Sequence, residues 1–350
     1  MTNINNIFGA VYPTDDLPAM VNQLNLKPEH FIIDVGAGGS PLPVADVIVE
    51  YDLVTGIHRD QTTAPVDNRW VVADIQNLPF NDKIFDFSYC SHVLEHVDNP
   101  TLACNELMRI SNNGYIETPR KITELLHGHP THQWLIDIVD NKLIFEPRCF
   151  IESPLKNFAL AHVLNHPHAL QSFLKDYRNI SCIQFKWEDK FEYEIKPVPE
   201  GQTQFNYKDT EQAAWSHFYF ALNLLENQAP LFYVQPHIDT AYQLRPDIPC
   251  FISLKAASYL AENNKIQAKI LLEKILDHHI DDQSIHKNLQ KLKDNFIYSV
   301  ELPLNRKSYT INNQEEVLKK LLHKEQEILD IYNSNSWKIT QPFRAIKSIY

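Results

Sequence analysis

Phe31–Val35 reads FIIDV and runs directly into Gly36-Ala37-Gly38-Gly39. A short apolar run that ends in an acid and breaks on glycines has the pattern of a buried strand followed by a tight turn. Missing Cβ atoms let the turn's backbone N–H groups come close to a ligand. Outward from it, Asp46–Glu50 (DVIVE), Trp70–Ala73 (WVVA), Phe85–Tyr89 (FDFSY) and Gly114–Ile116 repeat the short apolar strand, and Asn99–Ile110 places Leu102, Ala103, Leu107 and Ile110 at helical spacing. Such strands, separated by amphipathic stretches, imply a parallel sheet covered on both faces. The predicted fold is α/β: a doubly wound, mostly parallel sheet with ligands at the carboxyl ends of its strands. Ser181–Lys196 reads as a β-hairpin around Glu188-Asp189-Lys190, giving the sheet an antiparallel C-terminal finish.

Two nucleotide sites are excluded by single positions. A nicotinamide site wants a third glycine where this chain has Pro41, and no Gly-Lys-Ser/Thr follows to make a phosphate loop. Glu50 closes the second strand, where a carboxylate can accept from both hydroxyls of a ribose. Asp74 closes the third and can accept from an adenine amino group.

The ordered set DVGAGG (34–39), Glu50, ADIQNLPF (73–80), FDFSYCSHVLEHV (85–97) and NELMRI…GYIETP (105–119) resembles the class I S-adenosylmethionine-dependent methyltransferases, type 11 group, over about residues 30–119. The resemblance implies a Rossmann-like methyltransferase fold with S-adenosylmethionine as cofactor. Asp34, Gly36 and Gly38 would line it, Glu50 would hold the ribose, and Asp74 and Ile75 would lie near adenine. One departure is visible. Only Ser40–Asp46 separates the glycine turn from the second strand, and Pro41 and Pro43 interrupt it. No full helix fits there, so the helix N-terminus that would meet the cofactor's carboxylate is missing or reduced to one turn.

His92-Val93-Leu94-Glu95-His96 has the H-x-x-E-H spacing of an inverted zinc peptidase, which on a helix would put His92 and His96 on one face. That chemistry needs a further distal ligand, and the setting is a strand and loop of another fold. The expectation is therefore no stoichiometric zinc. The segment instead forms the floor between cofactor and acceptor, with His92 as candidate general base. Glu117 follows the fifth strand, faces the cleft and is the other candidate. His129 and His132 could join it around a metal, but a surface loop is the expected reading of both.

The 350 residues carry a net charge of −12, which argues against a nucleic-acid partner, since tracking phosphates needs a basic face. Five scattered cysteines read as reduced thiols of a cytoplasmic protein. Met1–Ala10 has neither the basic start nor the apolar run of a signal peptide, and no apolar run is long enough to span a membrane. Three regions are predicted: a methyltransferase domain over 1–200, a helical region over 207–300 with one tetratricopeptide-like hairpin, and an amphipathic helix and basic-aromatic tail over 313–350. Helices are expected over Thr210–Glu226, Phe251–Asn263, Lys265–His278 and Gln283–Phe296. The tail's Ser334–Arg344 (SNSWKITQPFR) is similar to endings found on bacterial surface-polysaccharide enzymes. That likeness implies a sugar or glycan hydroxyl as acceptor, glycosyltransferases of the same pathway as partners, and at most peripheral contact with the inner membrane. A small-molecule methyltransferase unrelated to glycans and a non-catalytic scaffold remain as alternatives.

Overall fold

The structure, a computed structural model, describes residues 17–53, 66–149, 160, 164–165 and 178–276. Its strands are β1 (Ile32–Val35), β2 (Val47–Glu50), β3 (Trp70–Val72), β4 (Phe85–Ser91), β5 (Ser111–Pro119), β6 (Trp134–Val139), β7 (Lys142–Pro147), β8 (Cys182–Glu188) and β9 (Tyr193–Ile195). The main sheet has the order β3-β2-β1-β4-β5-β8, parallel throughout except for β8. All four residues of β1 are buried, as its central place requires.

The two faces of the sheet have separate cores. On one, α2 (Pro100–Ile110) lays Ala103, Cys104, Leu107 and Ile110 against Ile33, Val35, Cys90 and Ile116. Asn99 starts this helix by accepting from the N–H groups of Thr101 and Leu102, with Pro100 at the first position, where its missing N–H costs nothing. On the other face, α1 (Leu17–Leu24) brings Met20 and Leu24 to Ile48, Phe87, Tyr89 and Tyr115.

The β1–β2 connection contains no helix, as the two prolines require. Leu42 fills the place with a fully buried side chain, and the connection is pinned to β1 at both ends: Leu42 N donates to Asp34 Oδ2 at 2.7 Å, and Ile32 N to Asp46 Oδ2 at 2.9 Å.

The expected hairpin at 181–196 is corrected. β8 does pair antiparallel with β5, but β9 runs parallel to β7 in a second sheet of order β6-β7-β9. The cause lies at Asp189, whose φ of +57° turns the chain aside while Lys83 Nζ holds its carbonyl oxygen at 3.1 Å. Phe191 then packs on Phe185 and Trp187 of the strand it has left.

Short helix α3 (Lys121–Leu126) follows β5 and touches β6, and short helix α4 (Arg178–Ser181) leads into β8 and touches it. Beyond 206 the chain is helical: α5 (Thr210–Glu226), α6 (Leu231–Leu244), α7 (Pro249–Ala261) and α8 (Lys265–Leu276). The α7–α8 pair, with its turn over Glu262–Asn264, is a helix–turn–helix unit at the place where the sequence suggests one. The sequence reading contains no counterpart of α6. Pro236 interrupts its helical pattern, yet Val234, Ile238 and Ala241 share the core of α5, and that burial outweighs the hydrogen bond lost at the proline. Apart from residues 200–202, the described residues belong to one compact unit. Among them, no helix is long and apolar enough to cross a membrane. The predicted helix over 283–296, the helix and tail over 313–350, and the N-terminal ten residues lie outside the described residues.

Candidate active site

The carboxyl ends of β1, β2 and β3 form one rim. Gly36 there has φ +79°, and a Cβ on it would lie 2.2 Å from Cγ2 of Val93, so both conformation and space demand glycine. Gly38, at φ +56°, has nothing within 4 Å of the corresponding position. Its N–H donates to Glu50 Oε2 at 2.6 Å, and Glu50 Oε1 accepts from the N–H of Tyr51 at 2.9 Å. The half-buried Glu50 carboxylate is thus fixed beside an open glycine turn. Asp74, also half-buried, accepts from the backbone and side-chain N–H groups of Gln76, and Ile75 is buried beside it. Two positioned acceptors and an open turn at the ends of adjacent strands suit a ligand with a ribose diol and an adenine amino group. These residues fit S-adenosylmethionine. Asp34 takes a different place. It is 2% exposed and directed at Leu42 N, and burial pushes its carboxyl up to about 7. It shapes the floor of the turn from below.

The ends of β4 and β5 carry a dense polar network. His92, the first residue past β4, sits at φ +57° and donates its backbone N–H to the Glu117 carbonyl at 2.8 Å. The chain therefore leaves β4 in a turn, and His92 and His96 do not share a helical face. Nδ1 of His92 lies 3.3 Å from Glu95 Oε1, and Nε2 lies 3.3 Å from Glu117 Oε1. Both ring nitrogens thus face carboxylates, so an acceptor hydroxyl that reaches His92 must displace one of these contacts. The His92 side chain is 27% exposed, whereas Glu95 and Glu117 are fully enclosed.

Glu117 is saturated. It accepts from Tyr115 Oη at 2.5 Å and Arg178 Nε at 2.9 Å, and Arg178 Nη2 pairs with its other oxygen. Burial opposes its charge, but His92 and Arg178 outweigh burial and hold it down at about 2. So weak a base does not take a proton at neutral pH. What Glu117 can do is orient His92 and face its charge, as the buried acid of a catalytic triad does.

Next to this lies a histidine cluster. His132 Nδ1 meets Glu124 Oε1 at 2.7 Å, His96 Nδ1 meets Thr131 Oγ1 at 3.2 Å, and the His96 and His132 rings cross at 84° with centroids 4.5 Å apart. His132 is 8% exposed and His129 is half-buried against His132 and Phe220, so neither lies on a surface loop. Glu117, His129 and His132 do not form a shared ligand set; Glu117 belongs with His92 instead. Buried Arg148 holds this loop to α5. It donates to the carbonyls of His129 and His132 and to Ser216 Oγ, and stacks 4.3 Å from the Phe205 ring centre. Behind it, His217 and His237 pair at 3.0 Å, and burial pushes His237 down to about 3. Sequence reasoning missed Arg178, Tyr115, Glu124 and Arg148. The first lies 61 residues from its partner, and Tyr115, although it stands in the GYIETP stretch, carries no mark of its bond to Glu117.

Residues 33–116 match the family model described as "Methyltransferase domain". The demethylmenaquinone methyltransferase of Paenarthrobacter aurescens (strain TC1) is 30% identical over 100 residues, which cover 27% of this chain. The chain spans about two fifths (40%) of the length of that curated relative. Among solved structures, a candidate methyltransferase from an antibiotic biosynthesis pathway of Anabaena variabilis aligns with 16% identity and a TM-score of 0.30, covering 73% of this chain and 92% of that one. YcgJ from Bacillus aligns with 18% identity and a TM-score of 0.27, covering 34% of this chain and 61% of its own.

Proposed function

We propose that the chain is an S-adenosylmethionine-dependent methyltransferase that methylates a hydroxyl of a sugar or glycan precursor. The observation that carries the cofactor half is the rim of β1–β3: an open Gly38 turn locked to Glu50, with Asp74 on the next strand. The matched methyltransferase domain covers the same rim. The bound cofactor supplies an electrophilic methyl for in-line displacement, and alignment alone offers about 7–11 kcal/mol. Glu50 holds the ribose and Asp74 the adenine. At the neighbouring strand ends, His92 takes the acceptor's proton, with Glu117 and Arg178 keeping the imidazole in place. A positioned base adds about 10²–10⁴-fold.

The acceptor class rests on the tail sequence SNSWKITQPFR, outside the described residues. Glycosyltransferases of the same pathway are the partners this implies, at the cytoplasmic side with at most peripheral membrane contact. The test is a two-stage titration of the full chain. Calorimetry with S-adenosylhomocysteine should give one site per chain, and radiolabelled S-adenosylmethionine should then label a nucleotide sugar or oligosaccharide. No heat at millimolar cofactor product overturns the methyltransferase reading. Binding with transfer only to acceptors lacking sugar overturns the glycan half alone.

A further inference from the structure

We propose that Glu95, His96 and His132 form a binding site for one zinc ion, joining the loop after β4 to the loop ahead of β6. One coordinating atom from each of the three lies within 4.8 Å of the others. The set, two imidazoles and a carboxylate, suits zinc with water in the fourth position; magnesium and calcium prefer all-oxygen sites.

Three features support a built site. Each ligand's other polar atom is already held by a neighbour: His132 Nδ1 by Glu124 at 2.7 Å, His96 Nδ1 by Thr131 at 3.2 Å, and Glu95 Oε2 by Thr118 Oγ1 at 3.1 Å. A carboxylate on the far nitrogen of a ligating histidine fixes the tautomer and aims the other nitrogen. Second, Glu95 is a fully buried carboxylate, 1% exposed, whose Oε1 faces the His92 ring at 3.3 Å. Buried charges are paired with other charges or bind metals. Third, the two loops are stitched together without metal. Gln133 N and Trp134 N donate to the Glu95 carbonyl, Gln133 Nε2 to the His96 carbonyl, and Trp134 Nε1 to the Val97 carbonyl. The ligands are therefore brought together before the ion arrives. His132 is the distal ligand that the H-x-x-E-H spacing lacks, and the first histidine of that spacing, His92, is not a ligand. A second cluster, His92, Glu117 and Cys182, is a poorer candidate, because the Arg178 guanidinium already sits on Glu117.

The experiment strips the full-length protein with a chelator and titrates it with zinc against a chromophoric competitor. One zinc per chain is expected. Glu124→Gln should weaken binding about 10–100-fold by removing the carboxylate charge behind His132, and His132→Ala should weaken it further. Cys182→Ser should leave zinc affinity unchanged. S-adenosylhomocysteine affinity and circular dichroism of each variant report folding. X-ray absorption of the wild-type zinc complex needs no variant, and should show nitrogen and oxygen neighbours with an imidazole signature. A sulfur neighbour, no stoichiometric zinc, or equal affinity in wild type and folded Glu124→Gln and His132→Ala overturns the site.

Discussion

The two parts of the candidate site are built in opposite ways. The rim of β1–β3 is sparse: an open glycine turn, with Glu50 and Asp74 tied to backbone N–H groups within a few residues or on the next strand. The ends of β4 and β5 are crowded, with Glu95, Glu117, Tyr115, Arg178 and His92 locked together out of solvent or nearly so. A ligand held by hydroxyls and an amino group needs acceptors and room, which a sparse rim supplies. A proton acceptor must be kept in one orientation, which takes a network. The difference predicts that substitutions in the network should register mainly as lost stability, and those on the rim as lost affinity.

The largest effect belongs to Glu117. Glu117→Gln leaves the Arg178 guanidinium, 12% exposed, without its counter-charge. Breaking a buried pair from one side costs about 3–5 kcal/mol, whereas replacing both partners is far milder. Urea denaturation should show that loss at constant slope, with much of it recovered in Glu117→Leu/Arg178→Met. A single-variant loss below about 1 kcal/mol would mean that the network is slack, and that the contrast between the halves is wrong.

Gly36 comes next. Gly36→Ala puts a Cβ 2.2 Å from Val93 Cγ2 at a φ that side chains rarely adopt. The turn must shift, and S-adenosylhomocysteine affinity should fall at least ~100-fold, equivalent to about 2.7 kcal/mol. Adding Val93→Ala removes the clash but not the strain, so affinity should return only in part. Full affinity in the single variant would show that the turn does not touch the cofactor.

How much of this was legible in advance follows the same division. The rim announces itself locally: strand, acid and glycines lie within nine residues (31–39), and Glu50 and Asp74 each close a strand whose apolar pattern is plain. Even the missing helix between β1 and β2 follows from Pro41 and Pro43. The network was legible only at His92 and Glu117. Arg178 comes from a four-residue helix, and Glu124 from a short one, with nothing in their neighbours to mark them. The H-x-x-E-H spacing would put His92 and His96 on one face only on a helix, and His92 instead turns the chain at positive φ. The hairpin at 181–196 misled because alternation marks a strand without saying which strand it joins.

Asp34 sharpens the comparison from inside the rim, as its one fully buried acid. Its carboxyl is pushed from an ordinary value near 3.8 up to about 7 by burial, against the bond from Leu42 N, with Glu50's charge adding to the rise. The folded state therefore holds this proton more tightly than the unfolded chain does. Its stabilising effect is complete below the unfolded pKa and is lost as pH rises through about 7. From pH 6 to pH 8 the native group releases most of one proton while the unfolded group releases almost none. At about 1.4 kcal/mol per unit, wild type should lose roughly that much stability across the interval from this group. Asn can still accept from Leu42 N but cannot ionise, so Asp34→Asn should lack this component. The measurement is urea denaturation of both proteins at pH 6, 7 and 8. Taking the difference between them removes the histidines, which titrate in the same range in both. A wild-type curve that runs parallel to the Asn variant would place Asp34's ionisation outside this window. Its carboxylate would then already be charged at pH 6, and the floor of the rim would be as polar as the network beside it.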